Sequence, residues 1–484
     1  MSKRSPPLSI STKLKSRSPK PLFKERNKRL ERKAIGIRLE RKKDASLLNC
    51  NLKRPYPPEK IRISIPDFAK PCVKIGQTVQ IGQKIAEAQG PEGVSLHAGM
   101  PGTVEKIAFF PSVTNSEKRM IEIHKHREPK TVSLVETHKG WEEIPAEELP
   151  GILQHAGLVT TDPVMEPVHI KLRRYAGART VIINGCEPEP YVTCEQVLIM
   201  SHSLEILKGA ELLKKALGAE KIFFALENCN LEMIELIKSK IYFLKWKHAE
   251  VRTVPALYPQ GLESTLLQAW FPEAVPIPIY RSGTEIGAVA TTPREKKIKV
   301  GAEGEAVVFP ASTAFAVYEA VAQQKPFYER VVTVGGECVV EPRNLWLPIG
   351  ISFHDAIHAC KGVMREPRRI LMGGPMAGTA QTTTEVPVTA GTNAILALPE
   401  EIVKEETEVP CIRCNLCVDH CPVLLSPAMI TLAAEQKEFA TAEEWNVREC
   451  IECGNCAYIC PSKRPMLRLI RSVRVFSDPA VTHD

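Results

Sequence analysis

Cys411-Ile412-Arg413-Cys414-Asn415-Leu416-Cys417-Val418-Asp419-His420-Cys421-Pro422 is echoed further along by Cys450-Ile451-Glu452-Cys453-Gly454-Asn455-Cys456-Ala457-Tyr458-Ile459-Cys460-Pro461. Both runs have the form C-x2-C-x2-C-x3-C-P. Three thiolates at this spacing on a tight loop reach one [4Fe-4S] cubane, while the fourth, before the proline, turns to the other cubane. The wiring predicts one cluster on Cys411, Cys414, Cys417 and Cys460, and a second on Cys421, Cys450, Cys453 and Cys456. Four thiolates also suit tetrahedral zinc. Zinc ribbons, however, use two separated C-x2-C knuckles, and the third cysteine, the closing Cys-Pro and the second copy favour iron–sulfur chemistry. Paired cubanes pass single electrons. Nothing between Pro422 and Arg448 offers a nucleophile or an acid–base constellation, so no catalytic residue is assigned and the module reads as a wire.

Outward from the tail, the 484 residues are 44% hydrophobic and 25% charged, enough for several domains with separate cores. No apolar run reaches the roughly 18 residues a membrane span needs. Fifteen cysteines in a metal-type arrangement point to a reducing compartment. Charge is uneven. Residues 1–54 hold 18 Lys+Arg against 4 Asp+Glu, a net +14, and the rest carries −6 within the chain's +8. Basicity therefore belongs to the leader and argues for no nucleic-acid partner. The leader has early prolines, no apolar h-region and no acid before Glu25, so it reads as disordered and not as a secretory signal. Leu30, Ala34 and Ile37 stand at helical spacing among basic residues, which suits either an anionic membrane surface or a solvated tail.

Residues 55–130 read as short strands with Gly and Pro turns: Ile61–Ile65, Val73–Ala86, and His97-Ala-Gly-Met-Pro-Gly-Thr-Val104. They resemble a biotinyl/lipoyl-type barrel sandwich, or hammerhead. Met100-Pro101 stands where a carrier lysine would be, which makes this a structural module. From about 150 to 325 strands and helices alternate: strand Thr180–Asn184, helix Glu195–Leu217, strand Lys221–Leu226, helix Leu231–Lys240, strand Ala249–Pro255. That pattern predicts an α/β domain with a parallel sheet. Residues 326–400 return to strands at Val331–Glu337, Ile370–Met376 and Val386–Thr392 with a helix at His354–Cys360, as in a β-grasp fold. A ferredoxin-like domain at 405–472 closes the series.

From Pro57 to Arg471 the chain resembles the RnfC family, a component of the Rnf complex, which translocates ions while exchanging electrons between ferredoxin and NAD. The shared phrases are the hammerhead, Val181-Ile-Ile-Asn-Gly-Cys-Glu-Pro-Glu-Pro-Tyr191-Val-Thr, Tyr258-Pro-Gln-Gly261, Glu329-Arg-Val-Val-Thr-Val334, Met372-Gly-Gly-Pro-Met376 and both cysteine runs. The resemblance implies a flavin domain like that of the FMN-carrying subunit of complex I, then a β-grasp (SLBB) domain, then the dicluster tail. One loop departs from it. Where the family has a glycine-rich loop, this chain has Thr160-Thr-Asp-Pro-Val-Met-Glu-Pro-Val-His-Ile-Lys171, keeping Pro167 and Lys171 but no glycine. Side chains at Thr160, Asp162 and Met165 fill space, Pro163 removes an N–H, and Asp162 and Glu166 add negative charge where a phosphate belongs. Phe309-Pro310-Ala311 and Leu262 depart as well. The loop predicts that FMN is not retained. The opposing outcome is a refolded loop, with Asn184, Glu187 and Glu189 holding the isoalloxazine. Cofactor-binding residues other than the cysteines stay unassigned.

The resemblance implies a peripheral subunit on the cytoplasmic side of the bacterial inner membrane. Its partners would be the complex's membrane subunits and a redox donor or acceptor protein, or NAD(H) through the complex. It would serve a translocase without catalysing a reaction alone. Two rivals stand beside this: a stand-alone flavin oxidoreductase resembling cobalamin reductases, and a structural subunit whose clusters only stabilise it. Cys50, Cys72, Cys186, Cys194, Cys229, Cys338 and Cys360 lack close partners and read as bystanders. No H-E-x-x-H, Walker or Gly-x-Ser-x-Gly motif supports a hydrolase or NTPase.

Overall fold

Seven short strands form the first domain: β1 (Lys60–Ser64), β2 (Ala69–Pro71), β3 (Thr78–Val79), β4 (Lys84–Ala88), β5 (Leu96–His97), β6 (Gly102–Pro111) and β7 (Glu117–Lys125). The computed structural model describes residues 35–48, 51–126, 140–271, 305–403 and 407–476. Two antiparallel sheets, β1-β7-β6-β3 and β2-β4-β5, make the barrel sandwich. Alternation explains the strand: Ile61 and Ile63 of β1 are buried and pair with the buried Ile123 and Ile121 of β7. The Met100-Pro101 turn is not presented to solvent. Met100 is buried, and a Cβ on Gly99 would sit 2.9 Å from the Pro348 side chain of the β-grasp domain.

The α/β domain has a parallel sheet in the order β10-β9-β8-β11, built from β8 (Thr180–Asn184), β9 (Lys221–Glu227), β10 (Ala249–Val254) and β11 (Ala306–Pro310). Both faces are covered over the central strands, which are mainly apolar, whereas the edge strand β10 carries Glu250, Arg252 and Thr253. Val181, Ile183, Phe224, Val307 and Phe309 pack into the core under the helices Cys194–Leu217 and Ala311–Ala322, whereas Ile182, Phe223, Ala225 and Val308 face a second core with Leu266 and Leu267. Gly209 lets the two helices touch, since a Cβ there would lie 1.7 Å from the Ala314 carbonyl. The long helix ends at Gly218, in the left-handed conformation that a C-cap glycine adopts.

The β-grasp domain is a mixed sheet, β13-β12-β16-β14-β15, made of β12 (Glu329–Gly335), β13 (Arg343–Pro348), β14 (Arg369–Met372), β15 (Thr379–Gln381) and β16 (Ala394–Leu398). Its helix Phe353–His358 is capped by Ser352, whose side chain accepts from the Asp355 N–H. Of the strand expected at Val386–Thr392, residues 386–388 pair with 350–353 through a single bridge between Pro387 and Ser352, and the remainder turns before β16. Pro387 lacks an N–H, and the Thr389 N–H donates to Thr392 Oγ1 at 2.9 Å, closing the segment on itself.

The segment expected as a disordered leader to residue 54 is partly corrected. Residues 1–34 and Cys50 lie outside the described residues. Residues 35–48 form a strap across the α/β domain, and not a continuation of the amphipathic helix spaced on Leu30, Ala34 and Ile37. Ile37 is buried and exchanges both backbone bonds with Tyr258, at 2.7 and 2.9 Å. Lys53 bridges to Leu345 of β13. An isoleucine inside a run of charges gave the strap an apolar anchor that net charge conceals.

Candidate functional site

The two cysteine loops have the same backbone. Arg413, Asn415 and Leu424 of the first and Glu452, Gly454 and Lys463 of the second occupy equivalent places, and all six have positive φ. These left-handed residues coil each loop tightly on both sides of a single helical turn, Leu416–Asp419 in one and Asn455–Tyr458 in the other. Asn455 joins the halves by donating to the His420 carbonyl at 3.2 Å. Below them Ile430, Ala433, Ala442, Val447, Met466, Ile470 and Val473 form the tail's own core. Glu452 ties the second loop to the helix Met466–Phe476 through Arg471 and Arg474, both at 2.7 Å.

The thiols fall into two neighbourhoods. Cys417 feels Cys414 and Cys460, whereas Cys453 feels Cys450, Cys421 and Cys456. Cys460 therefore lies near the first run and Cys421 near the second, while Cys421 and Cys456 also feel Cys417, so the two groups of sulfurs adjoin. Burial pushes Cys450 up to about 12 and Cys453 well above a thiol's ordinary range, with crowding by the neighbouring sulfurs adding to it. Such groups become thiolates only when a cationic centre compensates them. Zn–S bonds of about 2.3 Å place tetrahedral thiolates about 3.8 Å apart. Among the described residues the group of three or more metal-type donors lying within 4.8 Å of one another is Glu105, Glu122 and His124, with no cysteine in it. A cubane puts each thiolate on a different iron and so holds them farther apart than a single zinc ion does. Leu425 N–H to Cys421 Sγ at 3.3 Å and Glu452 N–H to Cys450 Sγ at 3.4 Å are the amide-to-sulfur bonds that tune such centres. The Glu105, Glu122 and His124 group is an ion-pair network, with Arg62 Nε 2.7 Å from Glu122.

One neighbourhood faces outward and the other inward. In the first Cys414 is exposed and Cys411 half-buried, with Cys417 and Cys460 buried, while in the second Cys421, Cys453 and Cys456 are buried and Cys450 is half-buried. The inner loop docks on the body. Tyr258 Oη donates to the Cys453 carbonyl at 2.7 Å, Ile451 and Cys453 pack with Ile37 and Tyr258, and Gly454 lies against the Met376 carbonyl. The Tyr258 and Met376 phrases stand out in the sequence, but nothing in their spacing shows that they form the tail's seat.

Open α/β sheets bind ligands beyond the carboxyl ends of their strands, and here that crevice is filled by the protein itself. Asn184 donates to the Gly261 carbonyl at 2.7 Å and accepts from the Cys186 N–H. Glu187 caps the long helix, accepting from Glu195 N–H at 2.8 Å and Gln196 N–H at 2.9 Å. Glu189 accepts from Met376 N–H at 3.0 Å and Ala377 N–H at 2.8 Å. The strap adds Lys43, buried, with Nζ 2.5 Å from the Glu187 carbonyl, and Arg41, 3.0 Å from Glu227. Burial lowers the Lys43 pKa, against the pull of Glu187 and Glu227. These two cations were missed. The basic residues four and six positions past Ile37 of the Gly36-Ile37 anchor were the available signal, because a Cβ on Gly36 would lie 2.6 Å from the Tyr258 carbonyl.

The loop Thr160–Lys171 is closed in the same way. Five of its N–H groups are spent within the protein: Thr161 on Thr313 Oγ1, Val164 on Asp162 Oδ1, Met165 on the Asp162 carbonyl, Glu166 on Thr160 Oγ1 and Thr160 on the Glu166 carbonyl. Pro163 and Pro167 have none. Lys171 is buried, 2.9 Å from Glu263, and Arg174 lies 2.8 Å from the buried Glu166. Burial raises the Glu166 and Glu263 carboxyls, with Lys171 opposing. The β-grasp turn lies on top, where a Cβ on Gly391 would be 2.8 Å from the Asp162 carbonyl. A flavin phosphate needs free backbone donors and an open approach. The residues present at this loop and at Asn184, Glu187 and Glu189 do not fit FMN.

Paired thiol loops seated on an α/β body define an iron–sulfur electron-transfer protein. Its segments match four known families: an RnfC barrel sandwich hybrid domain at 33–128, a Nuo51 FMN-binding domain at 153–319, an SLBB domain at 331–380 and a 4Fe-4S dicluster domain at 403–461. The RnfC counterpart in the proton-translocating ferredoxin:NAD(+) oxidoreductase complex of Clostridium ljungdahlii is 31% identical over 407 residues, covering 84% of each chain. The counterpart in the Na(+)-translocating complex of Acetobacterium woodii is 30% identical, covering 83% of this chain and 86% of that one. The counterpart in the ion-translocating oxidoreductase complex of Rhodobacter capsulatus is 33% identical, covering 78% and 70%. The chain belongs to this RnfC family of ion-translocating oxidoreductase complexes. Among solved structures, an NAD+-reducing [NiFe]-hydrogenase in the H2-reduced state aligns with a TM-score of 0.45 at 14% identity, over 72% of this chain and 68% of that chain. The family matches confirm the fold class expected from the sequence, barrel sandwich to dicluster tail. No helix among the described residues is long and apolar enough to cross a membrane.

Proposed function

We propose that this chain is the peripheral electron-transfer subunit of an Rnf-type ion-translocating complex, relaying single electrons through two [4Fe-4S] clusters. Cys411, Cys414, Cys417 and Cys460 hold the outer cluster, and Cys421, Cys450, Cys453 and Cys456 the inner one. The observation that carries this reading is the doubled C-x2-C-x2-C-x3-C-P run on two loops of equivalent backbone, within the segment that matches a 4Fe-4S dicluster domain. When bound, the clusters supply the one-electron chemistry. The protein's residues separate the outer site, open to a partner at Cys414, from the inner one, sealed under Tyr258 and Met376.

The α/β domain serves as scaffold, without FMN, so electrons reach the clusters from another subunit or a soluble one-electron donor and not from NADH on this chain. What supports this is the self-satisfied loop Thr160–Lys171 and the strap over the strand ends. Membrane attachment runs through the complex's membrane subunits on the cytoplasmic face, with the basic residues 1–34 adding affinity for an anionic surface. The test is to add NADH, then dithionite, to the anaerobic full-length chain. Dithionite bleaches the cluster absorbance and NADH leaves it unchanged. Bleaching by NADH without a partner protein refutes the reading.

A further inference from the structure

Three separate parts of the chain meet at one carboxylate. Glu189, from the loop after β8, takes the N–H groups of Met376 and Ala377 from the β-grasp domain, and its other neighbour is the Tyr258 hydroxyl. That same hydroxyl lies 2.7 Å from the carbonyl of Cys453 in the inner thiol loop. A cluster-bearing protein needing only a rigid seat has no use for an ionisable group there, because a neutral side chain would hold the same two amides. Taking the inner cluster's ligands as proposed above, we infer that Glu189 is the proton partner of that cluster: for each electron the inner site gains, the Glu189 carboxylate takes up one proton.

The hydrogen bonds supply the coupling. Tyrosine has one hydroxyl proton and serves one acceptor at a time. With Glu189 ionised, Tyr258 and both amides compete to neutralise it, and the Cys453 carbonyl loses its donor. With Glu189 protonated, its O–H donates to Tyr258 Oη and the Tyr258 proton stays on Cys453. The second arrangement aims a donor at the ligand loop and favours the added electron, which arrives from a low-potential iron–sulfur donor or, in the test, from dithionite. The proton comes from solvent, since Glu189 is only half-buried. Burial pushes its carboxyl up to about 7, against the two amides and Lys43.

The surrounding charges are fixed in other pairs. On the strap, Lys43 bonds the Glu187 carbonyl, Arg41 pairs with Glu227 and Lys42 with Glu337. Glu187, on the same loop, caps the long helix. Glu452, in the thiol loop beside Cys450, Cys453 and Cys456, pairs with Arg471 and Arg474. The turn Gly373–Gly378 brings no ionisable side chain.

The experiment is an EPR-monitored potentiometric titration of the full-length chain with both clusters, repeated on either side of neutral pH. Above about pH 7 the potential of one cluster falls as pH rises, approaching a tenfold change in its reduced-to-oxidised ratio per pH unit, or about 59 mV for a one-electron couple. Glu189→Gln flattens that slope and removes a protonated-carboxyl band from the reduced-minus-oxidised infrared spectrum. Tyr258→Phe, which leaves the amide clamp intact, also weakens the slope and decides the matter if Glu189→Gln misfolds. A wild-type potential independent of pH, or an unchanged slope in both variants, overturns the inference alone. A chain with no reducible cluster overturns the reading beneath it as well.

Discussion

Replacing Lys171 by Met tests whether the loop Thr160–Lys171 is an internal ion-pair knot. The Lys171 side chain is 3% exposed and bridges Glu263, itself 31% exposed, close to a Glu166 that is 5% exposed and keeps Arg174. Removing one partner of a buried pair costs about 3–5 kcal/mol, chiefly because the other charge is left uncompensated. Solvent reaches Glu263 and Arg174 still serves Glu166, so the low end, about 3 kcal/mol, is expected. That is about a hundredfold in the opening equilibrium of the loop. Hydrogen exchange of amides 158–175 is the suitable assay, because a chain of several domains has no single unfolding free energy. The double variant Lys171→Met with Glu263→Met should recover most of the loss, since no unpaired charge remains there. Burial opposes the Lys171 charge, yet Glu263, Glu166 and Asp162 outweigh it and hold its pKa above 10.5. Its contribution is therefore complete below pH 10.5 and fades as pH climbs through the raised value, a loss that Lys171→Met should not show. If the variant exchanges like wild type but binds added flavin more weakly, Lys171 is a phosphate ligand and the reasoning is refuted.

Cys460→Ser should lower iron by about half and remove the outer cluster's EPR signal, while Cys421→Ser should remove the inner one; each variant damaging the cluster of its own run would show that the ligands do not cross. His97 is buried and its pKa is pushed down to about 4 by burial and by Lys84. The unfolded chain therefore binds the proton first as pH falls from 6.5 towards 4, and stability drops by up to about 3 kcal/mol. Urea unfolding of His97→Gln should lack that acid sensitivity, and an imidazole titrating near its ordinary value would contradict it. Gly454 has φ +78° and would place a Cβ 2.8 Å from the Met376 carbonyl. Gly454→Ala should therefore loosen the tail's seat by at least about 1–2 kcal/mol, read as faster exchange at 450–456. Removing residues 1–34 should leave cluster content unchanged, whereas removal through 48 should expose the end of the long helix to exchange, because Lys43 and Ser46 go with it.

The strands of the α/β domain were legible because each is short, apolar and flanked by helical periodicity, and Thr180–Asn184 fell where expected. The cysteine loops were legible for a different reason, since their spacing is set by cluster geometry and not by packing. The altered loop at Thr160–Lys171 was visible as missing glycines, but the partners of its side chains were not. Thr313, Glu263 and the Gly391 turn are far away in sequence and meet the loop only once the β-grasp domain docks. The strap was misread as leader because net charge averages over Ile37, whose burial depends on its pairing with the distant Tyr258. The Val386–Thr392 strand stops after Val388 because the Thr389–Thr392 bond turns the chain, local chemistry that an apolar alternation obscures.

The most direct test is the cofactor content of the anaerobically purified full-length chain. The expected result is about eight irons and about eight acid-labile sulfides per chain, two magnetically interacting [4Fe-4S] signals after dithionite, and no flavin. Stoichiometric FMN, or zinc in place of iron with no EPR signal on reduction, would contradict a relay subunit that has lost its flavin.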